Sequence, residues 1–235
     1  MKDFLEVCYE EYRTKGLGNF NIIRDDGNVS FEDPARWFDP NYQLTGIDVE
    51  CLNMLKDGNV LDIACGTGVH LRYLQKMNRN VYGFDISEFS IELAKKFGAK
   101  NVSLISFWDF KPTCLFDNVI CMNASIGFIG SIHLLDAFLK KCRSFLRTGG
   151  FLYIQGVDWR IDPKNKHKPY IERNIKDGVY PGTVKLHKQY GELEEKEFQW
   201  IWIDTDMLLE KASQVGFEFI TLKFFDAKYF MILKK

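Results

Sequence analysis

The most constraining feature of this sequence is a short apolar run that leads through two glycines into a helical pattern. Residues 60–64 are apolar at every position except Asp62, as in a strand covered on both faces. Gly66 and Gly68 follow, and the helical pattern begins directly after them. Small residues let the backbone approach a ligand closely, and a helix start offers free N–H groups. The pattern therefore predicts a ligand-binding turn between a buried strand and a helix.

Strand-like and helix-like segments alternate through the middle of the chain. The strand-like segments are short and mostly apolar, and they lie at residues 60–64, 80–85, 101–105, 116–122 and 151–156. Helical patterns between them begin at the capping residues Thr45 and Ser87, or follow the apolar stripe 134–146 that Gly149 and Gly150 end. The alternation predicts an α/β fold with a doubly wound, Rossmann-like, mostly parallel sheet.

Two details complete the predicted sheet. Residues 106–116 leave little room for a helix between the third and fourth strands. Thr205 is predicted to cap the last helix, which Gly216 ends, and a C-terminal antiparallel hairpin is predicted at residues 218–225 and 229–234.

Two segments lie outside this alternation. Residues 1–44 contain a hairpin pattern about residues 25–28 and a helix start at Asp33-Pro34. Residues 158–204 intervene before the last helix and contain strand-like runs at 184–189 and 198–203. We expect one domain, residues 1–235, in which 1–44 is an N-terminal lid segment and 158–204 an inserted cap over the carboxyl edge of the sheet.

Composition excludes several classes of function. The chain is 46% apolar, enough for a sizeable core, and its 31 Lys and Arg against 32 Asp and Glu leave a net charge of −1. No basic excess drives binding to nucleic acid or to an anionic membrane, and no apolar run is long enough to span a bilayer. Acids interrupt residues 1–11, which disfavours a signal peptide. Because the six cysteines never form a C-x-x-C pair, we expect a reduced, cytoplasmic protein.

The kind of ligand follows from the acids near the turn. Asp85 ends the second strand, 17 residues after Gly68, where a carboxylate can accept bonds from both hydroxyls of a ribose. The dinucleotide fingerprint G-x-G-x-x-G requires glycine at position 71, which is Leu71 here. Asp62 beside the turn repels a pyrophosphate and suits an ammonium group. The plainer alternative is a tight turn, with Asp85 only capping the next helix.

The turn resembles motif I of the class I S-adenosylmethionine-dependent methyltransferases, (D/E)-x-G-x-G-x-G, with Ala64 in place of the first glycine. Residues 81–87 are similar to the second-strand acid of that family and residues 115–121 to its fourth strand. Residues 146–152 are similar to its L-x-P-G-G sequence, with Thr148 in place of proline. The flanks are similar to a largely uncharacterised bacterial subset. The resemblance covers nearly the whole chain and implies the class I methyltransferase fold.

The resemblance also implies a binding site for S-adenosyl-L-methionine. The loop would hold the methionine half, Asp85 the ribose, Ile86 the adenine face and residues 106–108 the adenine edge, although Trp108 also suits a core position. Asn123 would face the amino-acid end of the cofactor or the substrate. The residues so implied follow the ends of the first four strands: Asp62, Ala64, Cys65, Gly66, Gly68, Asp85, Ile86, Ser106, Phe107, Trp108 and Asn123.

Methyl transfer from a sulfonium needs alignment and exclusion of water, and it needs a base only where the acceptor is protonated. Asp158, just past the fifth strand, is the first candidate for that catalytic base, and a cap for the following turn is the alternative. His70 is expected to be a helix residue near the loop. No His, Cys and Asp spacing matches a zinc site, so no metal is expected.

Aromatic residues in the two outer segments have several interpretations. Phe198, Trp200 and Trp202 fall on one face of a strand, which fits core packing, a wall of the acceptor site or a dimer interface. Tyr9, Tyr12 and Trp37 are predicted to close over the cofactor, as the N-terminal segment of the family does.

The sequence as a whole predicts an S-adenosylmethionine-dependent methyltransferase acting on a small-molecule acceptor. An NAD(P)-dependent oxidoreductase is disfavoured by Leu71 and Asp62, and a non-catalytic nucleotide-binding module is the third hypothesis. No nucleic acid or membrane partner is expected. Monomer and homodimer stay open, as does the acceptor atom, whether N, O, S or C.

Overall fold

A computed structural model describes residues 3–162 and 165–235. Residues 1–2 of the N-terminal segment and 163–164 of the inserted segment lie outside that description. The helices α1 to α8 are, in order, Phe4–Lys15, Pro34–Phe38, Gly46–Leu52, Val69–Lys76, Glu88–Lys96, Leu135–Phe145, Lys168–Lys176 and Thr205–Val215. The strands β1 to β12 are Asn21–Arg24, Val29–Phe31, Val60–Ile63, Val81–Asp85, Val102–Leu104, Phe116–Cys121, Leu146–Val157, Thr183–Tyr190, Leu193–Glu194, Phe198–Ile201, Glu218–Phe225 and Lys228–Lys234.

The main sheet carries the predicted glycine turn. Its strand order among the described residues is β11-β12-β7-β6-β3-β4-β5. β4 with β5 and β6 with β7 pair in parallel, whereas β12 pairs antiparallel with β7 and with β11. The predicted doubly wound sheet with a C-terminal antiparallel hairpin is confirmed. The strand order reverses at β3, and open α/β sheets bind ligands beside the carboxyl ends of the strands at such a reversal.

Connections within the sheet largely follow the predicted pattern. Residues 105–115 contain no helix, as their length predicts; they turn instead, with the N–H of Phe110 donating to the carbonyl of Ser106 at 3.0 Å. α6 buries the predicted apolar stripe. It ends at Phe145, before Gly149, and β7 begins at Leu146 rather than at residue 151. α6 ends and β7 begins here because the backbone of Leu146 is already extended, with φ −87° and ψ 143°, and its side chain is fully buried.

Helix caps confirm one prediction and correct another. Ser87 caps α5 by accepting a hydrogen bond from the N–H of Ser90 at 3.1 Å. Thr205 does not cap α8. Asp204 does, accepting from the N–H of Met207 at 2.9 Å, while the Thr205 hydroxyl donates to Asp158 at 3.0 Å. A carboxylate is the stronger acceptor at a helix start, and it also complements the helix dipole.

A second sheet joins the two outer segments. Its order is β10-β8-β1-β2, with β9 paired to β8. The β1–β2 hairpin and the helix start at Asp33-Pro34 are confirmed. The sequence did not predict the antiparallel pairing of β1 with β8, in which Ile22 is opposite Lys188, nor helices α1 and α7.

Backbone contacts divide the chain into two compact units. Unit 1 comprises Met1–Gly46, Asp62–Lys111 and Lys185–Phe198, and unit 2 comprises Ile47–Leu61, Pro112–Val184 and Gln199–Lys235. The core of unit 1 includes an aromatic and aliphatic cluster of Phe4, Leu5, Cys8, Phe20, Phe38 and Leu93. The largest buried side chains of unit 2 include Phe138, Phe145, Tyr153, Tyr229 and Phe230. The roles of residues 1–44 as a lid and of 158–204 as a cap stay predictions.

Candidate functional site

The glycine loop of unit 1 has an unusual backbone. Ala64, Gly66 and Gly68 all have positive φ, at 54°, 52° and 76°. Alanine rarely adopts this region, so its backbone is strained there. Gly68 is also required by space, because a Cβ on it would lie 2.9 Å from the Cβ of Ala99. No side chain caps the start of α4 at Gly68, so the helix begins with N–H groups available to a ligand.

Asp85 links the end of β4 to this loop. One carboxylate oxygen accepts from the N–H of Gly66 at 2.9 Å, and the other accepts from the N–H of Ser87 at 2.9 Å. A carboxylate has about four acceptor positions. Half-buried Asp85 therefore holds the loop and can still accept hydrogen bonds from a ligand. Capping the start of α5 and binding a ribose are thus compatible roles for this carboxylate.

Asp62 is the most unusual residue of the loop. Its side chain is 1% exposed, and its Oδ2 has no hydrogen-bond partner among the described residues. The Nδ1 of His70 lies 3.7 Å from that oxygen, too far for a hydrogen bond. Burial raises the pKa of Asp62; His70 opposes that rise, and the charge of Asp85 adds to it. A buried carboxylate without a donor is costly unless a cationic or donating ligand completes it.

His70 has a larger part in this geometry than the sequence indicated. It lies on α4 as expected, but it is buried, and its Nε2 lies 3.5 Å from a guanidinium nitrogen of Arg36 on α2. The imidazole thus lies between the N-terminal segment and Asp62. Cys65 is buried as well, and burial, with the charges of Asp62 and Asp85, raises its thiol pKa well above the usual value. A neutral thiol is a poor nucleophile, so Cys65 fits a packing role.

The residues predicted for the adenine differ in exposure. Ile86 is 74% exposed and Trp108 41% exposed, which leaves apolar surface after β4 and after β5. Phe107 is buried; its ring packs edge-on against Trp108 at 4.9 Å. The hydroxyl of Ser106 donates to Asp109 at 2.5 Å. Trp108 is therefore not a core residue, whereas Phe107 is.

In unit 2, Asn123 follows β6 in a strained loop. Asn123 and Ala124 have φ of 53° and 57°. The N–H of Asn123 donates to the side-chain oxygen of Gln155 at 2.5 Å, and the Gln155 amide donates to Asp48 at 3.3 Å. Gln155 and Asp48 are both nearly fully buried. Neither residue is predicted from the sequence, although a glutamine inside the apolar run 151–156 is a visible signal.

Asp158 is fully buried and heavily bonded. Its carboxylate accepts from the guanidinium of Arg160 at 2.7 and 2.9 Å, and from the N–H and hydroxyl of Thr205 at 3.0 Å each. Although burial alone raises its pKa, these bonds outweigh burial and lower it. The N–H of Arg160 also donates to it at 3.1 Å, as in a turn cap. The catalytic role of Asp158 stays a prediction, and the contacts favour the alternative, a structural cap.

The aromatic residues of the outer segments are packed against protein. A Cβ on Gly127 would lie 2.0 Å from the indole nitrogen of Trp200, so the ring covers the loop after β6. Trp202 lies against His167, with ring centroids 5.5 Å apart. Tyr9, Tyr12 and Trp37 pack against the cluster that contains Phe38. Their closure over a cofactor stays a prediction.

Two further features are absent from the part of the chain that the structure describes. Residues 3–162 and 165–235 contain no group of three His, Cys, Asp or Glu side chains placed to hold a metal ion. Over the same residues, none of the helices combines the length and the apolar character needed to cross a membrane.

Comparison with known proteins matches residues 60–150 to the family described as "Methyltransferase domain". A curated relative from Streptomyces fradiae, a dTDP-3-amino-3,6-dideoxy-alpha-D-glucopyranose N,N-dimethyltransferase, is 30% identical over 43% of this chain and 40% of its own length. A tRNA U34 carboxymethyltransferase from Alteromonas mediterranea is 26% identical over 71% of this chain and 47% of its own length. The chain thus spans less than half the length of these relatives.

The fold is similar to that of solved structures over nearly the whole chain. A SAM-dependent methyltransferase from Bacteroides fragilis, solved in complex with S-adenosyl-L-homocysteine, has a TM-score of 0.78 and 21% identity. The match covers 98% of this chain and 93% of that one. The fold of this chain is therefore the class I methyltransferase fold.

Proposed function

We propose that this chain, whose residues 60–150 are a methyltransferase domain of class I fold, transfers a methyl group from S-adenosylmethionine to a small-molecule acceptor. The observation that carries the proposal is the pair of acids at the glycine loop. Asp62 has a buried, unpartnered carboxylate oxygen, and Asp85 holds Gly66 with acceptor capacity to spare.

The residues present fit this cofactor. Because Asp62 and Asp85 both bear on the loop, the site disfavours a pyrophosphate and favours an ammonium group. Asp62 would accept from the ammonium, and Asp85 from the ribose hydroxyls. Ile86 and Trp108 offer exposed apolar surface to the adenine. When bound, S-adenosylmethionine supplies an electrophilic methyl group on a positively charged sulfur.

The chain itself contributes position and charge. The positive-φ loop lets the backbone approach the ligand, and Asp85 keeps that loop in place. Alignment and exclusion of water can supply much of the rate of such a displacement. We assign no base, because Asp158 is occupied by Arg160 and Thr205 and its pKa is lowered by those bonds beyond what burial raises.

A small acceptor is supported by charge and by one relative. A net charge of −1 gives no excess of cations for a polyanion such as tRNA. The Streptomyces fradiae relative is an amino-sugar methyltransferase by name, and we take a small polar acceptor of that kind as the working class. The six cysteines of the chain are free in the structure, which supports a reducing, cytoplasmic location.

Native mass spectrometry of the purified chain tests the proposal. We expect co-purified S-adenosylmethionine or S-adenosylhomocysteine, released on denaturation, and no NAD(P). If the chain instead carries NAD(P), or binds NAD added in excess and does not bind S-adenosylhomocysteine, the methyltransferase assignment is wrong. Transfer of an isotopically labelled methyl group to an added amino sugar then distinguishes an enzyme from a binding module.

A further inference from the structure

A groove in unit 1 lies outside the proposed cofactor site. Residues 40–44, one side of α4 and the segment after α5 line it, and we call it the α4 groove. Its volume is about 360 Å³, within the range of small-molecule sites. None of the residues predicted to bind the cofactor lines it.

The charged side chains of the α4 groove all have the same sign. Arg72 and Lys76 come from α4 and Lys100 from the segment after α5, and none of the described lining residues is acidic. Arg72 and Lys76 are four residues apart on one helix, where like charges repel and destabilise the helix. Three cations together in a chain of net charge −1 indicate a site for an anion.

Arg72 is the central group of the groove. Its side chain is only 8% exposed, and its guanidinium lies over the Phe97 ring, 5.3 Å from the centroid. One nitrogen donates to the carbonyl of Thr67 at 2.7 Å, and within the described residues no carboxylate lies at ion-pair distance from it. Burial lowers the pKa of Arg72, and the negative charge of Asp39 raises it by a smaller amount. Buried charges in proteins are normally paired at short range, whereas Asp39 acts on this guanidinium only through its charge and not through a hydrogen bond.

We propose that the α4 groove binds a small molecule through a phosphate group held by Arg72, Lys76 and Lys100. A phosphate monoester carries nearly two negative charges at neutral pH and three strong acceptor oxygens. A guanidinium can donate two parallel hydrogen bonds to it, and the two ammonium groups add charge. Tyr42, Tyr73 and Phe97 also line the groove and offer surface to the organic part of the ligand.

The proposal does not rest on methyltransferase activity. Arg72 does, however, connect the groove with the glycine loop through its bond to the Thr67 carbonyl. Tests are therefore run both with and without S-adenosylhomocysteine, because phosphate could also bind at the start of α4.

Titration calorimetry on the full chain tests the site, with ribose 5-phosphate and inorganic phosphate as probes. We expect one ribose 5-phosphate per chain whether or not S-adenosylhomocysteine is present. Lys76→Gln/Lys100→Gln, which alters two exposed side chains, should weaken that binding roughly three- to tenfold. Arg72→Lys keeps the charge but loses the paired donors, and it should also weaken binding.

Lys95→Gln/Lys140→Gln is the matched control, since it removes the same charge from exposed positions outside the groove. The affinity of this control variant for ribose 5-phosphate should stay within about twofold of wild type. Equal binding of inorganic phosphate, with the same response to the variants, would support a site for the bare anion. The proposal is overturned if neither probe binds, or if groove and control variants lose affinity equally. Loss of S-adenosylhomocysteine binding alone would contradict only the methyltransferase proposal.

Discussion

At the residue scale, Asp62 is expected to lower stability in exchange for ligand binding. Its carboxylate is buried beside the charge of Asp85, with His70 too distant to donate a hydrogen bond. Natural proteins keep such costly groups mainly where a ligand or a reaction uses them. The loop should therefore be less stable without ligand than the rest of unit 1.

Asp62→Asn tests this cost. Burial raises the pKa of Asp62, so the native state holds the proton at pH values where the unfolded chain has lost it. Stability conferred by this group therefore falls as the pH rises from the unfolded value of 3.8 through the native value. Asp62→Asn should melt a few degrees higher than wild type at neutral pH, and this difference in melting temperature should become smaller at acid pH.

The same variant should bind S-adenosylhomocysteine more weakly, because an amide cannot pair with an ammonium charge. Melting curves across pH, together with calorimetry, measure both effects. Glu92→Gln, exposed on α5, is the control and should change neither. An Asp62→Asn protein that is less stable at neutral pH and binds as wild type would contradict this account.

At the element scale, Asp158 connects the end of β7 with the start of α8. It accepts hydrogen bonds from Arg160 and Thr205, while Arg160 also pairs with Asp206. The predicted helix cap at Thr205 was wrong because Asp204 takes that position and the Thr205 hydroxyl is bonded instead to Asp158, 47 positions away. Local patterns identify capping residue types, but they do not reveal long-range partners.

Asp158→Asn should destabilise the chain by about 1–3 kcal/mol near neutral pH, because the buried amide loses acceptor capacity for the Arg160 guanidinium and for Thr205. The bonds of Asp158 lower its pKa despite burial, so this stability is present above the unfolded value of 3.8 and is lost as pH falls through the native value. Urea unfolding at several pH values measures the difference. Asp206 is 81% exposed in the same network, so Asp206→Asn should lower the free energy of unfolding by less than about 1 kcal/mol.

Equal stability of Asp158→Asn and wild type would contradict the structural role of Asp158. If transfer activity then fell while stability held, Asp158 would be the catalytic base that the sequence first suggested.

The loop after β6 gives a second prediction at this scale. Trp200 packs so closely on Gly127 that any Cβ there collides with the indole. Gly127→Ala should therefore cost roughly 1–3 kcal/mol of stability, as overpacking does. In Gly127→Ala/Trp200→Phe the smaller ring should recover part of that loss. A double-mutant cycle in urea measures the coupling, and additivity within about 0.5 kcal/mol would contradict the contact.

Which elements could be predicted depends on where their information lies. The strands of the main sheet and the Ser87 cap are encoded in local periodicity and capping residues, and both are confirmed. The pairing of Ile22 with Lys188 joins segments more than 160 residues apart, and no local pattern encodes that pairing. The same holds for the site: the glycine loop was visible in the sequence, but the contact of His70 with Arg36 was not.

At the scale of the whole molecule, charge is distributed unevenly although the total is near zero. Two acids bear on the glycine loop, whereas three cations line the α4 groove of the same unit. The acids of the glycine loop suit the proposed cationic cofactor, and the cations of the α4 groove suit the proposed phosphate ligand. The proposed function depends on the glycine loop, and above all on Asp85.

Titration calorimetry with S-adenosylhomocysteine on wild type and Asp85→Asn tests the central claim most directly. Wild type should bind one molecule, and NAD should give no heat. Asp85→Asn should bind roughly ten- to a hundredfold more weakly, since bonds to a charged acceptor contribute about 1.5–3 kcal/mol. Circular dichroism checks folding, because the amide also loses one backbone donor of the loop.

Glu88→Gln, exposed in the first turn of α5, removes an equal charge nearby and should bind S-adenosylhomocysteine within about twofold of wild type. The account predicts that only Asp85→Asn loses affinity. A folded Asp85→Asn protein that binds as tightly as wild type, or a wild-type protein that binds NAD in place of S-adenosylhomocysteine, would contradict it.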